Sequence, residues 1–231
     1  MNNLNKFTEF LKSVDLAGYR QKYRPIKIVE MDLPKEIQTI ALLYKVYWEE
    51  KKFIPFDEFY ERYHKEKKVL LETFRIKIMM CDKCFYLGLP ARIYRTWASL
   101  ITQIHAGYVA ESVFGDGSIN MSVELDHEGA DFQVTYIRNI LNYQVKKESM
   151  SREIRKEKNK KIKIQGEFVD IKYYVPSEDV FANPKKLNGE FKAPYLRFVN
   201  DKTLQRFDNG FVVFTPQAFL PKKAEIDSIS K

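Results

Sequence analysis

Two cysteines, three histidines and nine glycines are all that 231 residues contain of three residue types on which many active sites depend. Cys81 and Cys84 form a lone CxxC, half of the four-ligand set of a structural zinc site, and only His64, His105 and His127 could extend it. The pair is therefore read as two partly buried thiols in a reducing compartment. The glycines form neither G-x-x-x-x-G-K-[ST] nor a dinucleotide fingerprint, which argues against ATP or NAD chemistry. No G-x-S-x-G elbow is present, and neither His127 nor Ser149 sits in a pattern that pairs a nucleophile with its base, which argues against acyl transfer. No window approaches the roughly eighteen uninterrupted apolar residues of a membrane span. The first residues, MNNLNKFTEFLKS, have no long apolar run of the kind found in a leader. Internal repeats and low-complexity tracts are absent too. The expectation is a soluble protein of the cytoplasm.

What is present is core-forming mass and positive charge. Hydrophobic residues make up 45% of the chain and aromatic residues 14%, enough for one sizeable core. The formal charge of +8 suits a polyanionic partner. Most of the excess is local, because Lys146 to Lys163 holds nine Lys or Arg against three Glu. A charge run of this kind is commonly a solvated helix face or loop. Lys147, Arg152, Arg155, Lys158, Lys160 and Lys161 are also well suited to contact phosphates.

Residues 1–89 read as a mainly helical subdomain. Leu4, Phe7, Phe10, Leu11 and Val14 recur at helical spacing, as do Ile37, Ile40, Ala41, Tyr44, Tyr47 and Trp48 after Pro34, and Phe56, Phe59, Tyr60 and Tyr63 after Pro55. Arg20, Lys22, Arg24 and Lys27 interleave with Tyr19 and Tyr23, either as a phosphate-facing arm or as a solvated one. Gly88 and Pro90 then punctuate, and residues 90–231 read as the second part of one compact unit. A long helix is expected from about Pro90 to Phe114, with Ile93, Trp97, Leu100, Ile101, Ile104 and Tyr108 on one stripe. Glu111 lies five whole turns after Ile93 and returns to that stripe, where a carboxylate needs a partner, a hydrogen bond or a metal. From Ser118 the period becomes alternating through SINMSVEL, DFQVTYI and ILNYQVK, the last two joined at Arg138 and Asn139 as a hairpin. GEFVDIKYYVP and GFVVFTPQAFLP read as further strands. Between them lies an irregular stretch with a helix expected over Asp201 to Phe207, and with Lys185, Lys186, Asn188, Lys192 and Arg197 available to reach bases.

The hairpin carries the chemistry. Phosphodiester hydrolysis with a divalent metal needs hard oxygen ligands, a positioned water and a cation for the phosphorane. Asp131 opens one strand. Gln144 and Lys146, two residues apart on its partner, project from one face toward it, while Val145 turns into the core and keeps its carbonyl for a metal. Lys146 would orient water or stabilise charge on the phosphate. Gln144 is neutral, so Asp126, Glu111 or Glu128 must supply a second carboxylate: Asp126 is favoured by nearness in sequence, Glu111 by its helix face. A D…QxK pattern alone is weak, and an exposed acidic turn before an ordinary hairpin is the bland alternative.

The order Glu on a helix, GAD, strand, QVK resembles the PD-(D/E)XK nuclease superfamily, with Gln144 where an acidic residue is usual. More narrowly, ARIYRTWASLITQIHAGYVAES followed by VELDHEGAD resembles the TaqI family of type II restriction endonucleases, over about residues 90–148. In that family two aspartates five residues apart, matched here by Asp126 and Asp131, belong to the active site. Lys146 and Lys147 both remain open as the matching lysine. The resemblance implies an α/β fold, a mixed central sheet flanked by helices. It further implies Mg²⁺-dependent cleavage of double-stranded DNA at a short site, TCGA in family members. Symmetric cleavage of both strands would favour a homodimer, monomers acting on each strand in turn being the alternative, and functional pairing with a DNA methyltransferase is expected. A non-catalytic DNA-binding protein and a structure-specific repair nuclease are the competing readings.

Overall fold

The computed structural model describes residues 2–24, 33–148 and 164–229. The chain forms two compact units, residues 1–105 with 207–211, and residues 106–206 with 212–231.

The first unit is helical: α1 (Asn3–Ser13), α2 (Leu16–Lys22), a short α3 (Ile40–Leu43) that continues as one π-helical stretch (Tyr44–Glu49), α4 (Phe56–Lys77) and the start of α5 (Asp82–Phe114). Helix α4 follows Pro55, carries Asp57 and Glu58 in its first turn and Arg75 and Lys77 in its last, and buries Phe56, Phe59, Tyr63 and Leu71. That arrangement suits the helix dipole and gives one apolar face. The aromatic core closes its polar atoms internally. Trp97 Nε1 donates to Tyr47 Oη (2.8 Å), which donates to the Ile54 carbonyl (2.6 Å), and Tyr63 Oη donates to the Ile37 carbonyl (2.7 Å). Asn209 Nδ2 donates to the carbonyls of Leu11, Lys12 and Val14 at the end of α1.

Helix α5 corrects the sequence reading at its start. It begins at Asp82, not at Pro90, and runs through both Gly88 and Pro90. Phe85 and Leu89 are fully buried ahead of the proline and Ile93 and Trp97 after it, so burial outweighs the loss of one N–H donor. All six residues of the expected apolar stripe are buried. At the start of the helix, Cys81 and Cys84 are joined in a disulfide, not kept as the free thiols expected from the CxxC.

The second unit is built on a four-stranded mixed sheet in the order β1 (Ile119–Asn120), β2 (Phe132–Tyr136), β3 (Asn139–Lys147), β4 (Glu167–Tyr173). The β1–β2 and β2–β3 pairs are antiparallel, and β4 lies parallel to β3. Phe132, Val134, Leu141 and Tyr143 give the sheet one fully buried face. There the rings of Phe132 and Tyr143 stack at 5.2 Å, Phe219 closes on both, and Phe114 of α5 packs on Tyr143. The start of β4 approaches so closely that a Cβ on Gly166 would lie 2.5 Å from the Ile140 carbonyl. Only glycine fits there.

Three other sequence readings change. The run SINMSVEL is a strand only at Ile119–Asn120; Val123–Glu128 forms helix α6, because Ser122 Oγ accepts the Leu125 N–H and Gly129 (φ 95°) terminates the turn. Helix lies at α7 (Glu178–Ala182) and α8 (Ala193–Asn200), while the stretch expected to be helical contains β5 (Leu204–Arg206), paired with β6 (Val212–Phe214). Pro194 starts α8, and Asp201 turns the chain by accepting the Thr203 N–H. After β6 the expected strand residues give way to a 3₁₀ turn and helix α9 (Leu220–Ile229). Among the described residues no helix is long and apolar enough to cross a membrane.

Candidate active site

The site forms where β2 begins and β3 ends. The ladder between them stops at Phe132 opposite Tyr143, and Asp131 lies one step beyond it. Its N–H donates to the Tyr143 carbonyl (2.8 Å), and its Oδ2 accepts the Val145 N–H (2.6 Å). In a strand the N–H and C=O of one residue share an edge. The Val145 carbonyl therefore faces the same side as the bond that fixes the carboxylate. Val145 itself is half-buried, short of the core position expected from alternation.

Asp131 is 8% exposed. Burial pushes its carboxyl up to about 7; the Val145 N–H and the Lys146 ammonium oppose that rise, and the Asp126 carboxylate adds to it. Asp126 reaches this position because α6 ends at Gly129, whose N–H returns to the Asp126 carbonyl (3.1 Å) before the chain turns into Asp131. Two carboxyl groups thus act on each other at one end of a sheet, with an ammonium group nearby.

Lys146 occupies the face opposite the Phe132–Tyr143 core. Gln144, half-buried, lies on that face too, as does Asn142, which accepts from Gln133 Nε2 (2.8 Å) and donates to the Gln165 carbonyl (3.0 Å). Lys146 Nζ donates to Asp170 Oδ2 of β4 at 2.7 Å. Asp170 is a partner of Lys146 that the sequence reading did not single out. Its signal was in GEFVDIKYYVP, where Asp170 and Lys172 are two apart and so share a strand face. Lys147, the alternative lysine, is exposed on the other face, in register with Tyr173.

The remaining expectations sort as follows. Glu111 is half-buried and accepts the Gly117 N–H (3.2 Å), and its charge is felt by Tyr108. Glu128 is half-buried on α6. Arg152, Arg155, Lys158, Lys160 and Lys161 lie outside the described residues. Arg197 of α8 pairs with Glu148 at the end of β3 and stacks on Tyr174 (4.5 Å).

No group of three or more His, Cys, Asp or Glu among the described residues closes on one metal position. A small hard cation does not require such a cage, since one or two carboxylates with water and substrate oxygens complete its shell. Asp131 and Asp126, with the Val145 carbonyl on the adjoining edge, are a donor set of that kind, all oxygen.

Residues 4–222 match the family model described as TaqI restriction endonuclease. The chain is 33% identical over 221 residues to the type II restriction enzyme TaqI of Thermus aquaticus, covering 91% of this chain and 83% of the relative. It is also 33% identical over 220 residues to the type II restriction enzyme TthHB8I of Thermus thermophilus, with the same coverage. No solved structure matches it.

Proposed function

Since the chain belongs to the TaqI family of type II restriction endonucleases, we propose that it hydrolyses phosphodiester bonds of double-stranded DNA at a short specific site, with Mg²⁺ as cofactor. The observation that carries this reading is the buried Asp131 carboxyl, pinned by the Val145 N–H and flanked by Asp126 and Lys146. The fold supports it, since an antiparallel β1–β2–β3 meander with β4 parallel to β3 puts the carboxylate and the lysine on paired strands, as a PD-(D/E)XK nuclease requires.

Asp131 and Asp126 are assigned to hold Mg²⁺, with the Val145 carbonyl as a third oxygen. When bound, the ion supplies Lewis-acid stabilisation of the phosphate and a water of lowered pKa. Asp131 is held by two backbone contacts, so its carboxylate is oriented before substrate arrives. Lys146 presents an ammonium on the Asp131 side of β3, where negative charge develops on the phosphoryl oxygens. Gln144 is neutral and orients water or phosphate through its amide. Glu111 is a further carboxylate candidate, engaged at the end of α5. Lys147, Arg152, Arg155, Lys158, Lys160 and Lys161 are assigned to the DNA backbone, and residues 1–89 to a helical subdomain.

TCGA is the first target to test. A homodimer acting in the cytoplasm beside a protective DNA methyltransferase completes the proposal. Its test is Asp131→Ala. Cleavage of duplex DNA in Mg²⁺ should fall below detection while DNA retention in a gel-shift assay persists. Undiminished cutting would remove Asp131 from the site, and a wild-type protein that retards DNA without cutting would leave a binding module.

A further inference from the structure

The sheet places an anion where the QVK strand lacks one. Strands β3 and β4 run parallel with Gln144 opposite Asp170 and Lys146 opposite Lys172. In a parallel pair, residues in register project from the same face. On that face two lysines therefore lie abreast, with Asp170 two residues before Lys172 on the neighbouring strand. Like charges directly opposite one another repel. Of the two, Lys146 is held by Asp170, Nζ to Oδ2 at 2.7 Å, with both side chains about one-third exposed.

A part-exposed ion pair contributes little to stability, so its value to the fold does not explain it. What it does is restrict an otherwise flexible four-carbon side chain to one place. Lys146 is the ammonium whose field reaches Asp131. Resting on the active-site reading above, we propose that Asp170 is a positioning residue that fixes the Lys146 ammonium on the sheet face that carries Asp131. The carboxylate missing at Gln144 is thus supplied from the adjacent strand, and it acts through Lys146.

The test uses the full chain with Asp170→Asn, Asp170→Glu and Lys146→Ala. It reads single-turnover cleavage of a duplex, DNA affinity in Ca²⁺, the Mn²⁺ concentration for half-maximal rate, and the melting temperature. Asp170→Asn should slow the single turnover about 10- to 100-fold, the scale of a misplaced catalytic group. DNA affinity, Mn²⁺ midpoint and melting temperature should stay at wild-type values. Asp170→Glu, which keeps the anion, should recover most of the rate. Wild-type rate in Asp170→Asn beside a slow Lys146→Ala would overturn the role of Asp170 alone and leave the site reading intact. A raised Mn²⁺ midpoint would overturn it in favour of direct metal ligation. A wild-type rate in Lys146→Ala would overturn the site reading and this inference with it.

Discussion

Burial works against the charge that Asp131 needs. Its carboxyl ionises near 7 in the folded chain against an ordinary value of 3.8, first because it is desolvated. The folded state therefore holds a proton that the unfolded chain has released between those values. Stability is unaffected below about pH 3.8, falls as pH rises toward 7, and stays reduced above it. Removing the charge should reverse this. Asp131→Asn is expected to stabilise the metal-free protein at pH 8 by up to ~4 kcal/mol in urea unfolding, while eliminating cleavage. His105 shows the opposite sign. It is 3% exposed, and burial lowers it to about 3. The unfolded chain then binds the proton first, and stability is lost as pH falls below about 6.5. Between pH 7 and 5 the wild type should lose about 2 kcal/mol more than His105→Phe. Equal losses would mean that His105 does not stay neutral in the fold.

The hairpin that joins β2 to β3 shows how local chemistry and tertiary structure divide the work. Its two-residue turn is Ile137–Arg138, with φ of 42° and 63°, one residue earlier than the polar joint expected from sequence. A branched residue in the left-handed region is strained. Replacing the pair by Asn-Gly should stabilise the protein by about 1 kcal/mol in urea unfolding without changing cleavage. Alternation made β2, β3 and β4 legible, and with them Asp131 and Lys146, because one face of each pattern is apolar. Helix α6 was less legible, since Ser122 and Gly129 cap a segment whose residues also alternate. Asp170 was not legible as a partner of Lys146. Their contact depends on the parallel register across the basic segment, and no local period encodes a register between distant strands. Helix α5 similarly ignores Gly88 and Pro90 because Phe85 and Leu89 are buried, a tertiary fact.

At the scale of the molecule, the charge excess of Lys146 to Lys163 should govern DNA affinity more than sequence choice. Replacing Arg152, Arg155, Lys158, Lys160 and Lys161 by alanine should weaken binding to specific and random duplexes alike. It should also reduce the slope of log affinity against log salt by about 4.5, if each contacts a phosphate. An unchanged slope would assign these residues to solvent. The proposed activity is narrower: cleavage of duplex DNA at one short sequence, with Asp131 in the site. The most direct measurement digests a DNA of known sequence with the purified protein and Mg²⁺, then sequences the ends produced, with Asp131→Ala in parallel. The wild type should give discrete fragments whose ends all fall at one short motif, TCGA being the first to look for, and the variant none. Ends scattered without a shared motif, intact DNA, or equal cutting by Asp131→Ala would contradict it.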